Sequence, residues 1–72
     1  MRYVRPLTEE EYAAIRSMMR HAVKRVRRRA QTILLSSQGH TVTELTAILG
    51  MSRSTVRIWI QRFNVAGPAG LL

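Results

Sequence analysis

Arginine is the residue with the most chemical capacity in this sequence. Eleven of the twelve basic residues are Arg, and four of them lie in the stretch 25–29. A guanidinium presents five N–H donors in one plane, which suit the paired oxygens of a phosphate or the O6 and N7 acceptors of guanine. Only four acidic residues oppose these cations, so the formal net charge is +8 and a polyanion is the expected partner.

The composition gives little support to other kinds of chemistry. The absence of cysteine excludes disulfides and Cys-ligated metal centres. Two isolated histidines, His21 and His40, do not make a metal site, and we expect no cofactor. There is no aspartate, and three of the four glutamates lie together at 9–11, so the convergent carboxylates of phosphoryl transfer are missing. We therefore expect no enzymatic activity and no small-molecule substrate.

No segment has the composition of a membrane anchor. The longest aliphatic run, 33–35, is far shorter than the ~20 residues of a membrane-spanning helix. No apolar signal segment follows the charges of residues 1–6. We expect a cytoplasmic, nucleoid-associated protein without a membrane partner.

The first half of the chain predicts two helices. The sequence Thr8-Glu9-Glu10-Glu11 fits a capping box, in which residues three apart satisfy each other's backbone N–H groups, so a first helix is expected over about 8–20. Apolar residues then recur at i, i+3 and i+4 spacing, which predicts a second helix over about 23–38. Gly39 supplies the C-terminal stop of that helix.

The second half predicts a shorter helix and a longer one. Thr41-Val42-Thr43-Glu44 is a second capping box, and it begins a helix over 42–49 that ends at Gly50. Ser52 is a favourable N-cap for a fourth helix, which stops before Gly67-Pro68-Ala69-Gly70. We therefore expect an all-α fold, a small helical bundle with a helix-turn-helix preceded by one extra N-terminal helix.

Seventy-two residues are too few for two independent cores, so the boundaries divide one small unit. We expect an N-terminal capped helix at 1–22, a helix-turn-helix domain at 23–66, and a tail or the start of a linker at 67–72. The core of the middle part is expected to combine the inward faces of its helices. Its members are Val26, Ala30, Ile33, Leu34, Leu45, Leu49, Val56, Trp59 and Phe63.

A short capped helix, a glycine turn and a second helix with a polar outer face describe a helix-turn-helix, whose second helix can enter a major groove ~12 Å wide. The outward side chains of the fourth helix are expected to contact base edges: Ser52, Arg53, Ser54, Arg57, Ile58 and Gln61. A second set is expected to contact phosphates: Arg27, Arg28, His40, Thr41, Thr43, Thr55 and Arg62. The sequence thus predicts double-stranded DNA as the partner.

Five segments carry a family resemblance: Arg28-Arg29-Ala30-Gln31, Ile33-Leu34-Leu35, Val42-Thr43-Glu44-Leu45, the run from Leu49 to Val56, and Trp59-Ile60-Gln61-Arg62-Phe63-Asn64. Together they resemble the N-terminal, homeodomain-like domain of bacterial insertion-sequence transposases of the mariner-like superfamily. The resemblance covers about residues 7–72 and is most specific between 49 and 63. It implies recognition of terminal inverted repeats, with strand cleavage left to a separate acidic catalytic domain. The chain is then expected to be a fragment, a truncated relic or a regulator on the same scaffold.

Two other functions remain compatible with the sequence. A stand-alone transcription regulator would be a homodimer that reads two half-sites. Its dimer surface could come from the first helix or the apolar end of the chain, namely Tyr12, Ile15, Met18, Met19, Leu71 and Leu72. The other is a non-specific RNA- or anionic-membrane-binding basic protein. The scarcity of aromatic residues and the use of the apolar stripe of the second helix in a core both argue against it.

Overall fold

A computed structural model describes residues 3–72, which form four α-helices and a 3-10 helix with no β-strand among them. The helices are α1 (Glu9–Met18), α2 (Lys24–Ser37), α3 (Val42–Leu49), α4 (Arg53–Ala66) and the 3-10 helix Gly67–Leu71. The predicted all-α bundle is confirmed. Residues 1 and 2, with which the expected N-terminal segment begins, lie outside the described residues. Within the described residues, every helix is too short or too polar to cross a membrane.

Side-chain caps fix where three of the helices begin. The Thr8 hydroxyl accepts a hydrogen bond from the Glu11 backbone N–H, and the Glu11 carboxylate accepts one from the Thr8 N–H. Thr41 and Glu44 form the same reciprocal pair at the start of α3. Ser52 caps α4 by accepting a bond from the backbone N–H three residues further on. The predicted capping boxes and the bounds of α3 are therefore confirmed.

The first helix is shorter than predicted. It ends at Met18, and the N–H groups of Arg20 and His21 reach back three residues to the carbonyls of Ser17 and Met18. A turn therefore separates α1 from α2. The guanidinium of Arg27 closes this turn by donating to the carbonyl of His21 at 2.8 Å.

The core is a single cluster that all four α-helices share. Seven of the nine predicted members are buried, but Leu34 and Trp59 are only partly buried. In α4, Ile60 is fully buried where the prediction chose Trp59. Successive residues of a helix point 100° apart, so a small difference in the rotation of α4 exchanges these neighbours. Trp59 consequently lies at the rim of the core.

Residues 67–72, which were expected to form a tail or the start of a linker, pack as part of the same core. Leu71 has no solvent-exposed area, whereas Leu72 is 73% exposed. The close fit depends on Gly70, where a Cβ atom would lie 2.6 Å from the carbonyl oxygen of Arg62. This packing was not predicted, because the sequence Gly-Pro-Ala-Gly is typical of a segment that ends a helix and leads into a loop.

An N-terminal strap, residues 3–6, also joins the core and was not predicted. Val4 is buried, and its N–H donates to the Ser36 hydroxyl of α2 at 2.8 Å. The N–H of Arg5 donates to the Asn64 side chain of α4 at 2.8 Å. The Arg5 guanidinium makes two hydrogen bonds to the Glu11 carboxylate, at 2.8 and 2.7 Å. The strap therefore ties together α1, α2 and α4.

The Arg5–Glu11 pair makes stability depend on pH. The pKa of the Glu11 carboxyl is lowered from 4.5 to about 2, mainly by the hydrogen bonds from Arg5 and then by the one from the Thr8 N–H. A carboxyl whose pKa is lower in the folded chain stabilises the fold above its unfolded pKa. That contribution is lost as the pH falls from 4.5 towards about 2. As the pH is lowered from 4.5 to about 2, we expect the melting temperature of the wild type to decrease and that of Glu11→Gln to decrease less.

Glu10→Gln is the matched control, because Glu10 lies in the same first turn and is exposed. Its melting curve should follow the acid decline of the wild type. Gln at position 11 still provides the acceptor that a capping box requires, so the comparison tests the charge of Glu11 and not the cap itself. Identical acid profiles for Glu11→Gln and the wild type would contradict this account.

Candidate nucleic-acid interface

The turn between α3 and α4 is fixed by one glycine and one cap. Gly50 has a left-handed backbone, with φ of 67° and ψ of 27°, and its N–H donates to the Thr46 carbonyl. A Cβ at this position would meet nothing within 4 Å, so the requirement for glycine lies in the backbone conformation. Ser52 then starts α4 two residues later. Leu45 and Val56 are both fully buried in the core that joins the two helices.

Helix α2 holds this turn from the side. The Arg28 guanidinium donates a hydrogen bond to the carbonyl of Leu49, the last residue of α3. A cation at this position also interacts favourably with the negative end of the helix dipole. The Thr32 hydroxyl donates to the Arg28 carbonyl at 2.9 Å and lies 3.7 Å from the Met51 sulfur. The angle between α3 and α4 is thereby tied to α2.

The outer face of α4 carries every side chain that was expected to contact bases. All six are exposed: Ser52, Arg53, Ser54, Arg57, Ile58 and Gln61. Arg53, Arg57 and Gln61 follow at i, i+4 and i+8, so they form one row along the helix. Ser54 and Ile58 form the neighbouring row, and Ile58 is 50% exposed although it is apolar. The exposure of this face agrees with the prediction, while its contacts with bases stay a prediction.

Three of the residues expected to contact phosphates meet at the start of α3. Thr43 is exposed, and Thr41 is partly exposed while its side chain caps the helix. The His40 Nδ1 atom lies 4.0 Å from a carboxylate oxygen of Glu44. The pKa of Glu44 is lowered, mainly by the hydrogen bond from the Thr41 backbone N–H. These side chains border one end of the helix-turn-helix.

The other four residues that were expected to contact phosphates lie at different places on the molecule. Arg62 is exposed on α4, next to the proposed base-contacting row. Thr55 lies in the first turn of α4, and its hydroxyl accepts a hydrogen bond from Ser52 at 2.9 Å. Arg27 and Arg28 donate to backbone carbonyls, Arg27 in the α1–α2 turn and Arg28 at the end of α3. The structure therefore does not bring all seven together.

An arginine outside the predicted phosphate-contacting set lies beside this surface. The guanidinium carbon of Arg29 lies 4.0 Å from the centroid of the Trp59 ring, and that of Arg62 lies 5.4 Å from the same ring. Arg29 also donates to the Leu71 carbonyl at 3.0 Å. The spacing of Trp59 and Arg62 at i, i+3 could have indicated their contact, but no local signal connects Arg29 of α2 with Trp59 of α4.

The charge of this surface is not balanced by carboxylates. Among residues 3–72, the ion pairs within 4.0 Å that involve glutamates are Arg5–Glu11 and the contact of His40 with Glu44, so no glutamate pairs with the arginines of α2 and α4. Arg29 also donates to the main-chain oxygen of Leu72 at 3.4 Å. Within residues 3–72, no three His, Cys, Asp or Glu side chains are grouped as a metal site. The surface is therefore built to attract an anion through guanidinium groups.

A short helix, a glycine turn and a second helix with a polar outer face, all packed on a supporting helix, define a helix-turn-helix protein. A family model described as a homeodomain-like domain matches residues 23–72, which include α2, α3, α4 and the 3-10 helix. The chain therefore belongs to this family of homeodomain-like domains, which indicates DNA binding. Curated proteins and solved structures give no match.

The Arg28–Leu49 contact predicts a stability effect. Arg28→Ala should lower the free energy of unfolding by about 1–2 kcal/mol, because hydrogen bonds from charged donors contribute about 1.5–3 kcal/mol and this one is partly exposed to water. Urea unfolding followed by circular dichroism measures the change. Arg25→Ala is the control, since it removes the same charge from an exposed position on the same helix. Equal losses in the two variants would show that the contact does not stabilise the turn.

Proposed function

We propose that this chain binds double-stranded DNA and reads its sequence with α4, as the terminal-repeat-binding domain of an insertion-sequence transposase does. The observation that carries the proposal is the row Arg53, Arg57 and Gln61 on the exposed side of α4. This row follows directly on a turn that Gly50 and Arg28 hold in one geometry. A rigid helix with an outward polar face is what reading of the major groove requires.

Each exposed side chain of α4 has a suitable partner on a base edge. Arg57, at the centre of the row, can form a bidentate pair with the O6 and N7 atoms of guanine. Ser54 can donate to or accept from several bases, and Ile58 can contact the methyl group of thymine. A thymine contact would account for the half-exposed side chain of Ile58 on an otherwise polar face. Ser52 and Arg53 lie at the N-terminal end, which is the part of a recognition helix closest to the bases.

The start of α3 supports the backbone-binding part of the proposal. His40, Thr41 and Thr43 surround the N-terminal end of this helix, where backbone N–H groups and the helix dipole favour a phosphate. Thr55 and Arg62 lie seven residues apart and hence on the same edge of α4, where both would contact phosphates. Arg27 and Arg28 would do so with the N–H groups that their carbonyl contacts leave unused. Such contacts position the protein and carry no sequence information.

The role that we assign to these residues is binding and not strand cleavage. The resemblance to the transposase domain extends over about residues 7–72, which is the binding part of such proteins. Glu11 and Glu44 accept hydrogen bonds as the N3 residues of their capping boxes, so both carboxylates already have a structural role. Glu9 and Glu10 lie in the first turn of α1, where their carboxylates interact favourably with the positive end of the helix dipole.

The alternatives are less compatible with the packing. A dimeric regulator needs an apolar surface on one protomer. Of the residues considered for that surface, Ile15 and Leu71 are fully buried within this chain, whereas Leu72 is exposed. The remaining three are partly buried: Tyr12, Met18 and Met19. A membrane-surface protein needs the apolar side of its basic helix to face the lipid, whereas Ala30 and Ile33 of α2 are fully buried. Neither alternative gains a specific observation from the structure.

Duplex binding should depend steeply on salt. If the chain neutralises about five phosphates, log affinity should fall with log salt concentration at a slope near −4.5. Fluorescence anisotropy of a labelled duplex, measured at several salt concentrations, gives the slope. Absence of duplex binding at low salt, or a flat response, would contradict the proposal that phosphates are the main contacts.

Sequence reading should depend on Arg57. Arg57→Ala should weaken binding to a duplex selected from a random library by about 1–3 kcal/mol, and it should relax the preference at one base pair. The reason is that a bidentate pair between Arg57 and guanine depends on which base is present, whereas a phosphate contact is the same at every base pair. Competition between the selected duplex and a scrambled one measures this difference.

Arg16→Ala is the control for the change in charge. Arg16 is exposed on α1, and this helix packs on α2 and the 3-10 helix rather than on α3 or α4. The control should lower the affinity for both duplexes slightly and leave their ratio unchanged. Equal losses on both duplexes for Arg57→Ala would show that α4 is not the reading element.

A further inference from the structure

Two arginines contact the ring of Trp59. The guanidinium carbon of Arg29 in α2 lies 4.0 Å from the centroid of the indole ring, and that of Arg62 in α4 lies 5.4 Å from it. A guanidinium that stacks on a ring directs its N–H groups outward in its own plane, because the ring occupies only its face. Arg62 is exposed and Arg29 is partly exposed, so these N–H groups can meet a ligand from solvent.

The stack lies beside the helix face that we propose reads bases. Arg62 lines one shallow groove together with Ile58 and Gln61, which belong to that face. Trp59 contacts Arg62 and also Arg29, so the three side chains extend from this groove towards α2. A duplex whose major groove held α4 would therefore bring a sugar–phosphate backbone next to the stack, since each groove is bordered by two backbones.

We propose that Arg29, Trp59 and Arg62 form a phosphate clamp for one strand of the duplex, an inference that rests on the proposed DNA-binding function. The ligand is the phosphodiester oxygen, which takes charge-assisted hydrogen bonds from guanidinium groups. One nitrogen of the Arg29 guanidinium, Nη1, donates to the main-chain oxygens of Leu71 at 3.0 Å and Leu72 at 3.4 Å, so its position does not depend on the ligand. The clamp is a backbone contact and carries no sequence preference.

The stacking has a physical purpose in such a clamp. A solvated arginine loses much rotamer freedom when it binds a phosphate, and a preordered one loses less. The indole orders both guanidinium groups before the ligand arrives. Cations on the ring also oppose its use as a platform for unpaired bases, which is the way aromatic residues bind single strands. The arrangement therefore favours the backbone of a duplex over a single-stranded RNA.

The chain offers a matched control within the same class of contact. The Arg16 guanidinium lies 5.5 Å from the Tyr12 ring, so it is a second cation stacked on an aromatic side chain. Both residues belong to α1, which packs on α2 and the 3-10 helix and not on α4. Arg16→Gln removes the same charge and the same kind of contact as Arg29→Gln, away from the α4 face.

The experiment compares the salt dependence of duplex binding in the full chain. Arg29→Gln and Arg62→Gln should each reduce the magnitude of the salt slope by about 0.9, which is the value for one lost phosphate contact. The advantage of the wild type over either variant should then shrink about threefold to fourfold between about 50 and about 200 mM salt. Losses should be equal on selected and scrambled duplexes. Arg16→Gln should keep the wild-type slope.

Two further readouts test the stack itself. Trp59 is the only tryptophan, so its emission reports on the clamp directly, and duplex binding should change it in the wild type more than in Arg29→Gln. Arg29→Lys keeps the charge but loses the planar stacking, so it should keep the salt slope and bind all duplexes more weakly. Circular dichroism verifies that each variant is folded. If Arg29→Gln does not fold, the salt slope of Arg62→Gln, which changes an exposed residue, tests the clamp instead.

The outcomes separate the clamp from the function beneath it. A folded Arg29→Gln with the slope of the wild type overturns the clamp and leaves DNA binding in place. Wild-type affinity in Arg29→Lys overturns the role of the stacking. A wild-type chain that fails to bind duplex at low salt overturns the clamp and the proposed function together.

Discussion

The scarcity of carboxylates is the constraint on which the rest of this structure depends. Four glutamates cannot pair with twelve basic residues, so several of the arginines are held in other ways. Arg5 pairs with a glutamate, but Arg27 and Arg28 donate to backbone carbonyls, while Arg29 and Arg62 stack on an indole. Carbonyls and rings orient a guanidinium without neutralising it. The fold therefore keeps its positive charge available to a polyanion while it fixes where that charge is placed.

The same contacts decide the geometry of the candidate site. A helix of eight residues, α3, has little stability by itself, and its end is closed by Gly50 and by the Arg28 guanidinium. Because Thr32 of α2 also contacts Met51, the loop that precedes α4 is held from the same helix. The orientation of the exposed α4 face is thus set by α2, which also places Arg28 at the end of α3 and Arg29 against Trp59. Placement and charge come from one element.

Local signals in the sequence were sufficient for the helices but not for the closure of the bundle. A capping box joins residues three apart, so Thr8, Thr41 and Ser52 could be recognised without any tertiary structure. The strap contacts of Val4 and Arg5 join residues 32 and 59 positions apart, and nothing near them in the sequence indicates their partners. The contact of Arg29 with the Leu71 carbonyl spans 42 positions and was missed for the same reason.

The face of a helix was predicted less well than its extent. Helical spacing placed Trp59 in the predicted core with Val56 and Phe63, and it did not identify Ile60 as a core residue. The structure puts Ile60 inside and Trp59 at the edge, where its ring contacts α2 through Arg29. The exposed side was easier to predict, because polar residues at i, i+4 and i+8 leave few other orientations. The candidate base-contacting residues were therefore found, while the stack next to them was not.

Arg27, Arg28 and Arg29 each donate a hydrogen bond to a main-chain carbonyl and keep other N–H groups for a ligand. This combination of roles favours arginine over lysine. A lysine ammonium that donated to the Leu49 carbonyl, as Arg28 does, would direct its compact charge at a single group and could not stack on a ring. A guanidinium has five donors, so one N–H can hold the backbone while others remain directed at solvent. Eleven arginines beside one lysine are what a small basic domain needs when the same side chains must complete the fold and bind an anion. The composition thus reflects the shortage of acidic partners as much as the chemistry of the ligand.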